Sequence, residues 1–117
     1  VEIWHNPRCS KSRSAELALG ELGAEHTVRR YLEDPPTAAE IEEVLVKLNL
    51  EPWDITRLKE PLAKELGLAD LPRHRAQWIA VLAANPALIE RPIVIHDDGT
   101  AAIVRTQEAL NALLSRK

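Results

Sequence analysis

His5-Asn6-Pro7-Arg8-Cys9-Ser10-Lys11-Ser12-Arg13 carries the single cysteine of a 117-residue chain. A short apolar run, Val1-Glu2-Ile3-Trp4, leads into it, and a helical pattern leads out. The order predicts a strand over residues 1–5, a turn, and a helix whose N-cap lies at or beside Cys9. The first turn of a helix offers unpaired N–H groups and about half a positive charge. A thiol placed there ionises more readily, and the thiolate is the nucleophile. His5, Arg8, Lys11 and Arg13 add charge or potential charge within four residues. A lone cysteine is ordinarily a small buried hydrophobe. With Arg, Ser and Lys as neighbours, this one reads as a reactive thiol.

Outward from that turn, Ala15, Ala18, Leu19 and Leu22 recur at helical spacing, and Gly23 stops the helix. Residues 25–31 read as a polar edge strand, which completes a βαβ unit. Asp34-Pro35-Pro36 then breaks the pattern. Thr37-Ala38-Ala39-Glu40 is a capping box opening a helix with Ile41, Val44, Leu45 and Leu48 as its buried stripe. Pro52 suits the first turn of another helix, with Trp53, Ile55 and Leu58 behind it. Residues 61–66 suggest a short helical piece ended by Gly67. Pro72 opens a further helix through Ala84, with Ala76, Ile79, Ala80 and Ala83 on one face. Residues 37–84 therefore read as an all-helical insertion.

Sheet signals return at Pro92-Ile93-Val94-Ile95-His96. Asp97-Asp98-Gly99-Thr100 reads as a hairpin turn, and Ala101 to Val104 as the return strand. Thr106 can cap a last helix, with Ala109, Leu110, Leu113 and Leu114 facing inward. The order βαβ, helical insert, ββα is the thioredoxin-like plan: an α/β fold with a small mixed sheet, here one domain over residues 1–117. In that plan the cysteine after the first strand is the reactive position.

Composition agrees with a folded domain. Hydrophobic residues make up 45% of the chain, enough for a core, and the net charge of −3 gives no general pull toward nucleic acid or membrane. No apolar run approaches the ~20 residues of a membrane span, and residue 1 begins directly in a strand-like run without a signal peptide pattern. One cysteine excludes an internal disulfide, and a free thiol fits a reducing cytoplasm. His5 and Cys9 alone do not make a zinc site, so no metal is expected.

The stretch around Cys9 resembles the active-site segment of the glutaredoxin-dependent arsenate reductases. Tyr31-Leu32-Glu33-Asp34-Pro35-Pro36 resembles their Tyr-Leu-Glu-x-Pro-Pro segment, and Asn85-Pro86-Ala87-Leu88-Ile89-Glu90-Arg91-Pro92-Ile93-Val94 resembles a second long block. The match around Arg57 is looser. The resemblance implies that the Cys9 thiolate attacks arsenate, that glutathione or another small thiol adds to the adduct, and that a glutaredoxin-type protein resolves the mixed disulfide as arsenite leaves. It carries three oxyanion-holding arginines to Arg57, Arg91 and Arg105. It carries a catalytic histidine to His5 and the serine of a Cys-x-x-Ser pattern to Ser12. It also implies a cis peptide bond before Pro92, no bound cofactor, and a monomer.

The residue types support the same chemistry. Guanidinium forks match the oxygens of a tetrahedral oxyanion better than a lysine does. His5 is spaced so that a protonated ring lowers the thiol pKa, or it is a structural histidine. Ser12 donates to the thiolate or faces solvent. Two rivals stand beside this reading. One is an Spx-like regulator that binds RNA polymerase; those typically carry Cys-x-x-Cys, where this chain has Ser12. The other is a glutathione-dependent thiol reductase with a non-arsenate substrate.

Overall fold

The computed structural model describes residues 1–115. In chain order the main elements are β1 (Glu2–Trp4), α1 (Ser10–Glu21), β2 (Thr27–Arg29), α2 (Ala38–Leu48), α3 (Pro61–Glu65), α4 (Arg75–Ala84), β3 (Ile93–Ile95), β4 (Ala101–Ile103) and α5 (Gln107–Leu114). Short 3-10 turns cover Pro52–Ile55, Leu68–Asp70 and Pro86–Leu88. The chain forms two compact units, one of residues 1–34 with 91–117 and one of residues 35–90.

The first unit holds a four-stranded mixed sheet in the order β2-β1-β3-β4. β1 pairs in parallel with β2, Ile3 opposite Val28, and antiparallel with β3, Ile3 opposite Val94. β3 and β4 form the hairpin, Val94 opposite Ala102, and Gly99 supplies a positive φ of 88° in the turn between them. Ile3 and Val94 therefore share a face of the sheet, where they join Ala15, Ala18 and Leu19 of α1 and Leu110 and Leu113 of α5 in one core cluster. That packing fixes the start of α1 against the end of β1. At the other end of α1, Gly23 takes φ 68°, which lets the Ala24 N–H reach back to the Leu19 carbonyl at 3.0 Å.

In the second unit the capping box forms as read. Thr37 Oγ1 accepts from the Glu40 N–H at 3.2 Å, and Glu40 Oε1 accepts from the Thr37 N–H at 3.0 Å. α2 buries Ile41, Val44 and Leu45 and ends at Asn49 with φ 57°.

The helix expected from Pro52 is a single 3-10 turn, Pro52–Ile55, with Leu58 exposed, and three more features of this unit depart from the sequence expectation. The helix expected from Pro72 begins at Arg75, with His74 as its N-cap. Pro72 lies outside it, and its carbonyl accepts from the indole N–H of Trp78 at 2.9 Å. The buried face of α4 is Trp78, Ile79 and Leu82, while Ala76 and Ala80 are exposed. Larger apolar side chains gain more from leaving water, so they and not the alanines set which way the helix turns. The unit also runs past Ala84. Ile89 makes a β-bridge to Thr56, and the Glu90 N–H donates to the Ile55 carbonyl at 2.8 Å.

Candidate active site

The turn between β1 and α1 is held by its own polar groups. The Arg8 N–H donates to Asn6 Oδ1 at 2.9 Å, an Asx turn, and the Cys9 N–H donates to the Asn6 carbonyl at 3.0 Å. Arg13 reaches back from α1, its Nη1 donating to the Pro7 carbonyl at 2.9 Å. The Arg13 N–H donates to the Cys9 carbonyl at 3.0 Å as the first bond of the helix, so Cys9 is the N-cap. Asn6 is buried and organises this turn. In the sequence only the Asn-Pro turn signal marks it.

An N-cap side chain faces the free N–H groups of the first turn. Cys9 puts sulfur at that position. The thiol closes no cap bond, yet the Ser12 and Lys11 N–H groups face its sulfur and favour the anion. Burial of Cys9 pushes its pKa up. The Ser12 N–H, the Arg91 guanidinium and the Lys11 N–H together outweigh that and leave it below the ordinary thiol value.

Arg91 stands at the start of β3 behind a cis Arg91–Pro92 bond. Burial opposes its charge, but the Cys9 sulfur and the phenol of Tyr31 hold its pKa up. Its Nε is buried and has no hydrogen-bond partner among the described residues. Tyr31 is fully buried. Its side chain supports the Arg91 guanidinium from within the same unit. That role was invisible in sequence, where Tyr31 appears only as part of a motif.

Ser12 takes a position that differs from both options open in sequence, and His5 takes the structural one of its two. Ser12 is fully buried, and its Oγ lies 2.7 Å from His5 Nδ1 while accepting the Asn6 N–H at 3.0 Å. Its hydroxyl thus ties the end of β1 to the first turn of α1. What it gives the Cys9 sulfur is its backbone N–H. His5 is buried, and burial lowers its pKa despite the opposing charge of Glu16. A protonated ring as the source of the thiol's acidity is therefore disfavoured. The hydroxyl's one proton goes to His5 Nδ1 if the ring carries its own proton on Nε2, the arrangement that satisfies all three groups.

Arg105 follows β4 in the same unit, is exposed, and lines a cavity with Lys11 and Ser14 of α1. Arg57 belongs to the second unit. There its N–H donates to the Leu88 carbonyl at 2.7 Å and its guanidinium pairs with Glu60 Oε1 at 2.9 Å. Among the described residues, no group of three or more His, Cys, Asp or Glu is placed to hold a metal. No described helix is long and apolar enough to cross a membrane.

A four-stranded mixed sheet with a depressed-pKa cysteine at the N-cap of its first helix defines a thioredoxin-like thiol protein. Residues 4–113 match the model of the ArsC family. The chain is 56% identical over 99% of its length to a protein of Streptomyces viridochromogenes described as an uncharacterized protein in the glnII region, which is covered in full. It is 41% identical to an arsenate reductase of Neisseria meningitidis, with 97% of each chain covered. Among solved structures, a putative arsenate reductase from Yersinia pestis superposes with a TM-score of 0.86 at 37% identity, covering 98% of both chains. The chain belongs to the ArsC family.

Proposed function

We propose that this protein is an arsenate reductase that works with external thiols. The observation that carries the reading is the Cys9 sulfur, with the Ser12 and Lys11 N–H groups and the Arg91 guanidinium aimed at one spot. That spot favours a thiolate before substrate arrives and negative oxygen beside the sulfur afterwards. The buried Arg91 Nε is a donor suited to a tetrahedral oxyanion.

In the proposed reaction the Cys9 thiolate attacks arsenic(V), and one arsenate oxygen leaves as water after protonation. A small thiol such as glutathione then attacks the Cys9 sulfur of this adduct. The As–S bond breaks, its electron pair stays on arsenic, and arsenite departs as As(III). Cys9 is left as a mixed disulfide. A second thiol, from glutathione or a glutaredoxin-type protein, takes the outer sulfur and frees Cys9. Two electrons reach arsenic, and two external thiols end as one disulfide. Arg91, Arg105 and Arg57 are the proposed arsenate-holding residues, Arg91 with the support of the sulfur's own surroundings. His5 and Ser12 are proposed to act through the shape of the Cys9 turn. A monomer in a reducing compartment such as the cytoplasm suits a lone free thiol.

The test is arsenite formation from arsenate by the purified protein with glutathione and glutaredoxin, and with other small thiols. Arsenite should form, and Cys9→Ser should form none. Absence of arsenite with every thiol and glutaredoxin combination would overturn the reading.

A further inference from the structure

Beside α1 lies a cavity of about 120 Å³, most of whose lining the scheme above does not use. Its α1 wall is Lys11, Ser14, Ala15 and Ala18, one helical face, and its other wall is the start of α5 with Arg105 and Gln107. The floor is apolar because Ala15 and Ala18 belong to the core cluster. The rim is cationic and hydrogen-bonding. Lys11 and Arg105 bring charge, and the first turn of the eight-residue α5 adds its positive end. Glu108, in that same turn, does not line it. Lys11 links the cavity to the chemistry, since its N–H faces the Cys9 sulfur while the residue itself lines the wall.

We propose that this cavity binds a carboxylate arm of the small-thiol co-substrate and so sets the reducing thiol beside Cys9. The proposal rests on the thiol-dependent reading above. The space is slightly below the ~150 Å³ of an apolar cavity that holds benzene, so it takes one arm of a peptide-sized thiol and not the whole molecule. The apolar floor receives the methylene or backbone of that arm. Lys11 and Gln107 receive its carboxylate, and Arg105 stays with arsenate. A thiol without a carboxylate, such as 2-mercaptoethanol, gains nothing from the site.

The experiment uses Gln107→Glu and Ser14→Asp, each of which puts a like charge on the rim without touching the Cys9 turn. With arsenate saturating, KM for glutathione should rise about fivefold in each variant, the scale of one close like-charge contact at a wet surface. The rate with 2-mercaptoethanol should stay within twofold of the parent. Equal changes with both thiols, or none with glutathione, would overturn the proposal. A separate arm needs no arsenate chemistry. S-methylglutathione, titrated into the parent protein and followed by amide NMR shifts, should move the Lys11, Ser14 and Gln107 signals. Inorganic phosphate, an arsenate analogue expected at the Cys9 turn, should not saturate the Ser14 and Gln107 shifts. Shifts confined to other residues overturn the site, and so does phosphate taking it in preference. If S-methylglutathione binds here while no thiol supports arsenate reduction, the site stands and the arsenate reading falls.

Discussion

At Cys9 two effects compete, and the direction of the result can be checked. Burial favours the neutral thiol, while two backbone N–H groups and Arg91 favour the thiolate, and the second set wins. A lowered pKa means the folded protein holds fewer protons at Cys9 than the unfolded chain does. The associated stability is fully present above the ordinary thiol pKa of ~8.5 and is lost as pH falls through the lowered value. Activity should fall over that same lower range, as the thiolate is protonated. An ultraviolet thiolate titration should place Cys9 below a free cysteine. Arg91→Gln should move it up and lower kcat/KM for arsenate by roughly 10²-fold, the scale for losing one preorganised donor. A titration unchanged by Arg91→Gln would remove Arg91 from the sulfur's surroundings. Ser12→Ala is a different kind of lesion. It strips the Asn6 N–H and His5 Nδ1 of their shared partner in a buried place. Chemical denaturation should show a loss of about 1–3 kcal/mol, with arsenate KM changed less than kcat. His5 illustrates what a sequence hides. Its spacing to Cys9 left a charge effect and a structural role both open, and burial with a serine seven residues on, unreadable from spacing alone, favours the structural one.

Element by element, signals carried by local chemistry were legible, and those set by tertiary packing were not. The capping box at Thr37, the Thr106 cap, and the stops at Gly23 and Gly67 depend only on near neighbours in the chain, and all are found where the residues put them. The start and facing of α4 depend on what Trp78 packs against and on which carbonyl its indole can reach, so alanine spacing misled. Strands of three residues are too short for period-2 alternation to mark their ends, which is why residues 25–31 shrink to Thr27–Arg29. Capping yields two predictions of opposite sense. Thr37→Ala should cost about 1 kcal/mol, with faster hydrogen exchange in the first turn of α2, and Thr37→Ser should retain most of it. Cys9→Ser should do the reverse for α1. Serine is a preferred N-cap, and its hydroxyl can close the bond to the Ser12 N–H that the thiol leaves open. Compared at acidic pH, where the thiol is neutral, the inactive Cys9→Ser protein should melt no lower than the parent. A clear drop in its melting temperature would mean that the sulfur packs instead of capping.

For the whole molecule, both chain ends are needed for one site. β1 and α1 bring Cys9, and β3, which follows the helical segment in the chain, brings Arg91, with Ile3 and Val94 paired in the middle of the sheet. The βαβ and ββα halves were legible because each is local, and their union rests on a pairing that no local signal shows. What the whole sequence does state plainly is that no second thiol exists anywhere in it. Reduction of arsenic(V) to arsenic(III) takes two electrons. Cys9 can share in delivering them only by ending as half of a disulfide, and no internal cysteine can then release it. The purified protein, freed of small thiols, should therefore bind and attack arsenate yet release no arsenite through repeated turnovers. One equivalent of glutathione should give one arsenite and one Cys9–glutathione disulfide, visible as a mass increase on the peptide that contains Cys9. Adding further thiol or a reduced glutaredoxin should restore turnover, with two external thiols consumed for each arsenite. Steady arsenite production with no external thiol would show that the electrons come from elsewhere. A Cys9–Cys9 linked dimer as the main product would show that a second copy of the chain, and not a small thiol, resolves the intermediate.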